Sequence, residues 1–154
     1  FMGRIDDADH TPLGLPQVPM GGFATMGIRR SESLPAFTNA STGLPVPPPG
    51  PGGYNHTLEW STWWFNFGPL PVDLPTQWAV FVRSIYGTQT VDITPRRVQQ
   101  FVVTPGAAYN WRNEAADGSV IASGWVTADA DGLVTVPGFL VTPEGNRLVI
   151  EPAA

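Results

Sequence analysis

The chain has 154 residues, a formal net charge of −5 and a pI near 4.7, which fits one domain and argues against a phosphate-backbone binder, since that needs clustered Lys or Arg. It contains no Cys, and all eight basic residues are Arg, so a disulfide scaffold, a thiolate zinc site and a cysteine nucleophile are excluded. Two His residues, His10 and His56, cannot alone build a His-rich metal site, and no run of about 18 apolar residues is available to span a membrane as a helix.

Gly and Pro, 17 of each, are unevenly spread: residues 1–55 hold nine of each, and residues 56–154 hold eight of each over nearly twice the length. The shift near Tyr54 predicts an extended Pro/Gly-rich arm over 1–55 followed by a folded domain over 56–154. No charged region followed by an apolar stretch opens the chain, and the start Phe1-Met2 reads as an internal cut in a longer protein or as an artificial start around Met2. The run Pro45-Val46-Pro47-Pro48-Pro49-Gly50-Pro51-Gly52-Gly53 favours polyproline II, as a semi-rigid linker or as a ligand for proline-recognising domains. An arm with so little apolar periodicity needs a surface to lie on. Its apolar part, Met26 to Phe37, offers Met26, Ile28, Leu34 and Phe37 for docking, on the arm's own domain or on a neighbour by strand addition.

Beyond Tyr54 the texture changes to short strands. His56–Ser61 alternates, and Gln77–Ser84 puts Trp78, Val80 and Val82 on one face. Thr90–Ile93, Val98–Val103, Ala108–Asn113, Ser119–Ala128, Leu133–Val136, Phe139–Val141 and Arg147–Ile150 read as further strands. Tyr86-Gly87, Pro105-Gly106, Asp117-Gly118, Asp131-Gly132, Pro137-Gly138 and Glu144-Gly145-Asn146 supply turns between them. Seven or more strands without a helix predict an all-β, two-sheet antiparallel sandwich. An immunoglobulin- or fibronectin-like topology is the first choice and a jelly roll the runner-up, because strand count does not fix the order of connections.

The run Asp92-Ile93-Thr94-Pro95-Arg96-Arg97-Val98-Gln99-Gln100-Phe101, then Tyr109-Asn110-Trp111-Arg112-Asn113, Gly124-Trp125-Val126-Thr127-Ala128-Asp129-Ala130-Asp131-Gly132 and Gly145-Asn146-Arg147-Leu148, resembles the C-terminal β-sandwich regions of large secreted bacterial proteins, many of them hydrolases. The resemblance implies an accessory module without a catalytic motif of its own, an extracellular or cell-surface setting, and a larger parent chain.

Candidate chemistry is sparse. Asp6-Asp7-Ala8-Asp9-His10 admits three readings: His10 as the base of a triad whose nucleophile lies upstream, a cation site, or a solvated acidic loop. No Gly-x-Ser-x-Gly turn occurs in the chain. Asp129-Ala130-Asp131-Gly132 lacks the further ligands of a calcium loop and reads instead as a tight hairpin between Trp125–Ala128 and Leu133–Val136. Arg29-Arg30 and Arg96-Arg97 suit interface ion pairs or exposed surface. Asn39-Ala40-Ser41 and Asn55-His56-Thr57 match the N-glycosylation pattern.

Tyr54, Trp60, Trp63, Trp64, Phe65 and Phe67 concentrate aromatic area. Such rings fill a core, anchor a protein partner or stack on sugars. Trp78 and Trp111 are expected in the core. The reading that results is a non-catalytic exported interaction or structural module, self-associating through its arm or accessory to a parent chain. The alternatives are a carbohydrate-binding module using Trp60 to Trp64, and a hydrolase fragment using His10. No cofactor, metal or nucleic acid is expected; protein and polysaccharide are the candidate partners.

Overall fold

A computed structural model describes residues 31–41, 58–63, 65–85 and 87–154. Met26, Ile28, Tyr54, Trp64, both His residues, Asp6 to Asp9, Arg29-Arg30, the Pro45 to Gly53 run and the Asn55 acceptor lie outside them.

The alternation seen in Gln77–Ser84 generates the centre of the larger sheet. Nine strands form, with no helix among the described residues: β1 (Leu34–Thr38), β2 (Leu58–Trp60), β3 (Val72–Leu74), β4 (Gln77–Ser84), β5 (Gln89–Arg96), β6 (Ala108–Ala115), β7 (Val120–Thr127), β8 (Val136–Val141) and β9 (Asn146–Pro152). They make a β-sandwich of a three-stranded sheet, β1-β5-β8, and a six-stranded sheet, β2-β4-β9-β6-β7 with β3 also on β4, and every pairing is antiparallel. β2 pairs with Val82 to Ser84 and β3 with Gln77 to Ala79, so the two share one edge of β4. The pairs β4–β9, β5–β8 and β6–β7 nest inside one another, and β9 then meets β6. A folded-over hairpin of this kind is the connection pattern of jelly rolls.

Between the sheets, Trp78, Val80 and Val82 of β4 with Leu148 and Ile150 of β9 face Phe37, Val91, Ile93, Phe139 and Val141 from the smaller sheet. Full burial of each such side chain contributes roughly 1.5–3 kcal/mol. At one end of this core a polar layer joins the sheets: Asn146 Nδ2 donates to Asn113 Oδ1 (2.9 Å), and Asn113 Nδ2 to the carbonyl of Leu140 (2.9 Å).

Several segments differ from the sequence expectation, each for a local reason. Val98–Val103 is not a strand: Arg97 takes φ 56°, and the amides of Gln99, Gln100 and Phe101 donate to the Asp73 carboxylate at 2.7–3.0 Å. Tyr109 then fixes the chain that follows, its hydroxyl accepting from Thr104 N at 2.7 Å and donating to Val102 O at 3.1 Å. Pro137-Gly138 does not divide two strands but lies inside β8, opposite a register shift between Val91 and Ile93, where Asp92 Oδ1 accepts from Gly138 N (2.9 Å). The hairpin expected at Asp131-Gly132 is absent, because β7 pairs with β6 and β8 with β5, so the chain crosses there from one sheet to the other. Leu34–Thr38, which composition assigned to the arm, pairs with β5 as an edge strand.

Candidate functional site

The aromatic segment is dispersed by the alternation of β2 and the loop after it. Trp60 points inward, only 3% exposed, and meets Phe37 edge-on with ring centroids 5.9 Å apart. Phe67 lies against Phe81 of β4 (ring centroids 5.9 Å apart) and meets Phe65 at 5.7 Å, while Arg83 stacks on the Phe67 ring at 3.9 Å. Trp63 is 45% exposed, and its indole N–H donates to Glu32 at 2.8 Å. Among the described residues, Trp60, Trp63, Phe65 and Phe67 therefore do not share a single aromatic platform. Of the two described docking residues of the arm, Phe37 is buried and Leu34 half-buried; Ser33 Oγ, just before them, accepts from Trp78 Nε1 at 2.9 Å. A cleft of about 300 Å³ runs between Ser31 to Ser33, Trp63, Leu70 and Gln99-Gln100.

The conspicuous carboxylates serve the backbone. Asp73 holds the 99–101 amides, as described above. Asp129 Oδ1 accepts from the amides of Asp131 and Leu133 (2.9 Å each), closing its own turn. Asp117 Oδ1 accepts from Ser119 N (2.9 Å) and Oγ (2.6 Å), and the Ser119 hydroxyl, then the amide, hold this exposed carboxyl below its ordinary value. Asp92 Oδ2 accepts from the amide nitrogen of Asn39 at 2.9 Å, the same atom that would carry a glycan. Among the described residues no group of three or more His, Cys, Asp or Glu is placed to hold a metal ion.

The outer face of the larger sheet carries an ordered polar array. Arg112 Nε donates to Glu114 (2.7 Å) and Nη1 to Glu151 (2.9 Å), Arg147 reaches Glu114 at 3.3 Å, and Gln77 Nε2 donates to the second oxygen of Glu151 at 3.1 Å. Burial opposes the Glu114 charge, but hydrogen bonds from Arg112 and Arg147 outweigh it and set its pKa below the ordinary 4.5. The hydrogen bond to Glu114 likewise raises the Arg112 pKa, against burial. At the end of this array Trp125 stands 69% exposed on β7, opposite Asn110 of β6, which is opposite Glu151 of β9.

β7 is the outermost strand of its sheet, and six of its eight residues are exposed. Its sequence, Val120-Ile121-Ala122-Ser123-Gly124-Trp125-Val126-Thr127, has no charge and no Pro. The other edges are blunted: β1 contains Pro35 and is five residues long, β8 contains Pro137-Gly138, and β2 and β3 are three residues each. Sequence reasoning found the strand but not its position or Trp125's exposure. The available signal was the lack of alternation, with Val120-Ile121 and Trp125-Val126 adjacent, unlike a strand that buries one face.

No family model, curated protein or solved structure matches the chain.

Proposed function

We propose that the chain is a non-catalytic interaction module that associates with a second copy of itself by pairing β7 with β7 across a two-fold axis. The carrying observation is the contrast between β7 and the other edges among the described residues: of these, it alone is long, neutral and free of Pro, and such an edge is a template for strand addition. A second copy suits it because an antiparallel strand pairs with itself under two-fold symmetry. Two molecules of net charge −5 repel, and β7 brings no like charges face to face. An extracellular or cell-surface setting belongs to the same proposal and rests on the likeness to secreted bacterial sandwiches.

The ladder specifies the test. Ala128 N donates to Ala107 O at 2.9 Å; with the alternation of an antiparallel pair, the N–H groups of Ser123 and Trp125 point away from β6. Ser123→Pro then removes a donor that an added strand needs without removing a β6–β7 bond, and Ile121→Lys sets like charges near each other in the paired state. Sedimentation velocity of the full chain is expected to show a concentration-dependent dimer that both variants convert to monomer, with circular dichroism unchanged. A wild type that stays monomeric at high concentration, or a dimer indifferent to both folded variants, overturns the proposal.

A further inference from the structure

The array at Trp125 is a second kind of surface on the same strand. A shallow cavity of about 390 Å³ is lined by Asn110, Trp111, Arg112, Ser123, Gly124, Trp125 and Glu151, within the roughly 300–1,000 Å³ of small-ligand sites. The cross-strand register sets Trp125, Asn110 and Glu151 in one row across three strands, with Ser123 opposite Arg112 alongside. The groups divide into two sets. Arg112, Glu151, Glu114 and Arg147 are bonded to one another, and two guanidinium charges balance two carboxylates. The Trp125 indole N–H, the Asn110 amide and the Ser123 hydroxyl have no hydrogen-bond partner among the described residues.

We infer that this shelf is a subsite for a neutral saccharide, with a pyranose ring stacked on the Trp125 indole and its hydroxyls bonded by Asn110, Ser123 and the outward-facing parts of Arg112 and Glu151. The ligand class follows from the composition. An exposed flat indole takes an apolar ring face, and free donors and acceptors beside it take hydroxyls. The internally balanced charges give an ionic ligand no net attraction. A protein hot spot is a poorer fit, because its aromatic anchor is ringed by groups that exclude water, whereas the neighbours of Trp125 are polar and wet. The sheet holds these groups rigidly: Arg112 is fixed from two sides by Glu114 and Glu151, and Gln77 fixes the far oxygen of Glu151.

This inference is independent of the β7 self-pairing, which uses main-chain groups. Native affinity electrophoresis of the full chain through gels containing laminarin, hydroxyethylcellulose, xylan or galactomannan, with alginate as the charged control, tests it. Retardation by at least one neutral polysaccharide is expected, weakened at least tenfold in Trp125→Ala and partly restored in Trp125→Phe, with Asn110→Ala several-fold weaker. Trp63→Ala, remote in the fold, should bind as wild type. No retardation in any neutral gel, retardation indifferent to Trp125→Ala, or retardation by alginate alone overturns the inference. Sedimentation of Trp125→Ala and affinity electrophoresis of Ile121→Lys separate the two proposals: a sugar-blind Trp125→Ala that still dimerises leaves the pairing standing, and a monomeric Ile121→Lys that still binds sugar leaves the shelf standing.

Discussion

Asp73 shows how one side chain decides the path of a distant segment. It sits in the three-residue strand β3, and its two oxygens take three consecutive amides at positions 99 to 101, so this stretch is capped where its apolar pattern asked for a strand. Asp73→Ala is expected to lower stability by about 2–3 kcal/mol, since charge-assisted hydrogen bonds are worth about 1.5–3 kcal/mol each and water replaces part of the loss; urea unfolding should show a lower midpoint at unchanged slope. A second such residue is Gly145, at φ 102°, where an added Cβ would run into the ring of Phe81. Gly145→Ala therefore combines a strained backbone with a clash and should cost about 2–4 kcal/mol. Phe81→Leu in the same chain should recover part of that cost, read as a coupling energy in a double-mutant cycle. The aromatic residues of the 54–67 segment carried no such address in the sequence. Trp60 and Trp63 are chemically alike, and only the strand that ends at Trp60 puts one in the core and the other at the surface.

Strands with strict alternation were legible from the residues. Gln77–Ser84 forms β4 over the same residues, and Asp117-Gly118 turns β6 into β7 with Gly118 at φ 89°. What escaped the sequence were elements whose partners lie far along the chain. β1 and β3 are short, Leu34–Thr38 contains a Pro, and neither has a periodic signature; pairing with β5 and β4 makes them strands. The Asp-Gly and Pro-Gly dipeptides announce backbone reversals or bulges without saying which, so Pro137-Gly138 looked like a turn and is a bulge in β8. Asp92 stabilises that bulge through Gly138 N and holds β1 through Asn39. Asp92→Ala is accordingly expected to speed amide hydrogen exchange in Phe139 to Val141 and in β1 well before exchange rises in β4 or β9; uniform acceleration throughout would show that Asp92 has only a global effect. The shelf at Trp125 was equally hidden, since its row of side chains is assembled from β6, β7 and β9.

At the scale of the molecule, three of the eight Arg residues share the outer face of the larger sheet. Arg83, Arg112 and Arg147 all pair with Glu on the larger sheet, and the folded state depresses the pKa of Glu114 below 4.5. The sign follows: a carboxyl with a lower pKa folded than unfolded contributes stability in full above its unfolded value, and loses it as pH falls through the folded value. Thermal stability should therefore be level near neutrality and decline below about pH 4.5. Glu114→Gln should be less stable than wild type at pH 7, and the difference should shrink as the pH is taken toward 3. A gap that widens in acid would contradict the assignment.

The place of β9 has a further consequence, for the timing of synthesis. The strand furthest along the sequence lies in the middle of the larger sheet, between β4 and β6. While a ribosome is still making residues 1–145, β4 and β6 each have one hydrogen-bonding side open, and no main-chain ladder joins the β6–β7 hairpin to β4. Until then the larger sheet lacks its central strand and has two bare edges, and unpaired strand edges of this kind are aggregation-prone. Closure is a single late insertion, and its long-range pairings put folding in the slow, millisecond-to-second regime of β-sandwiches.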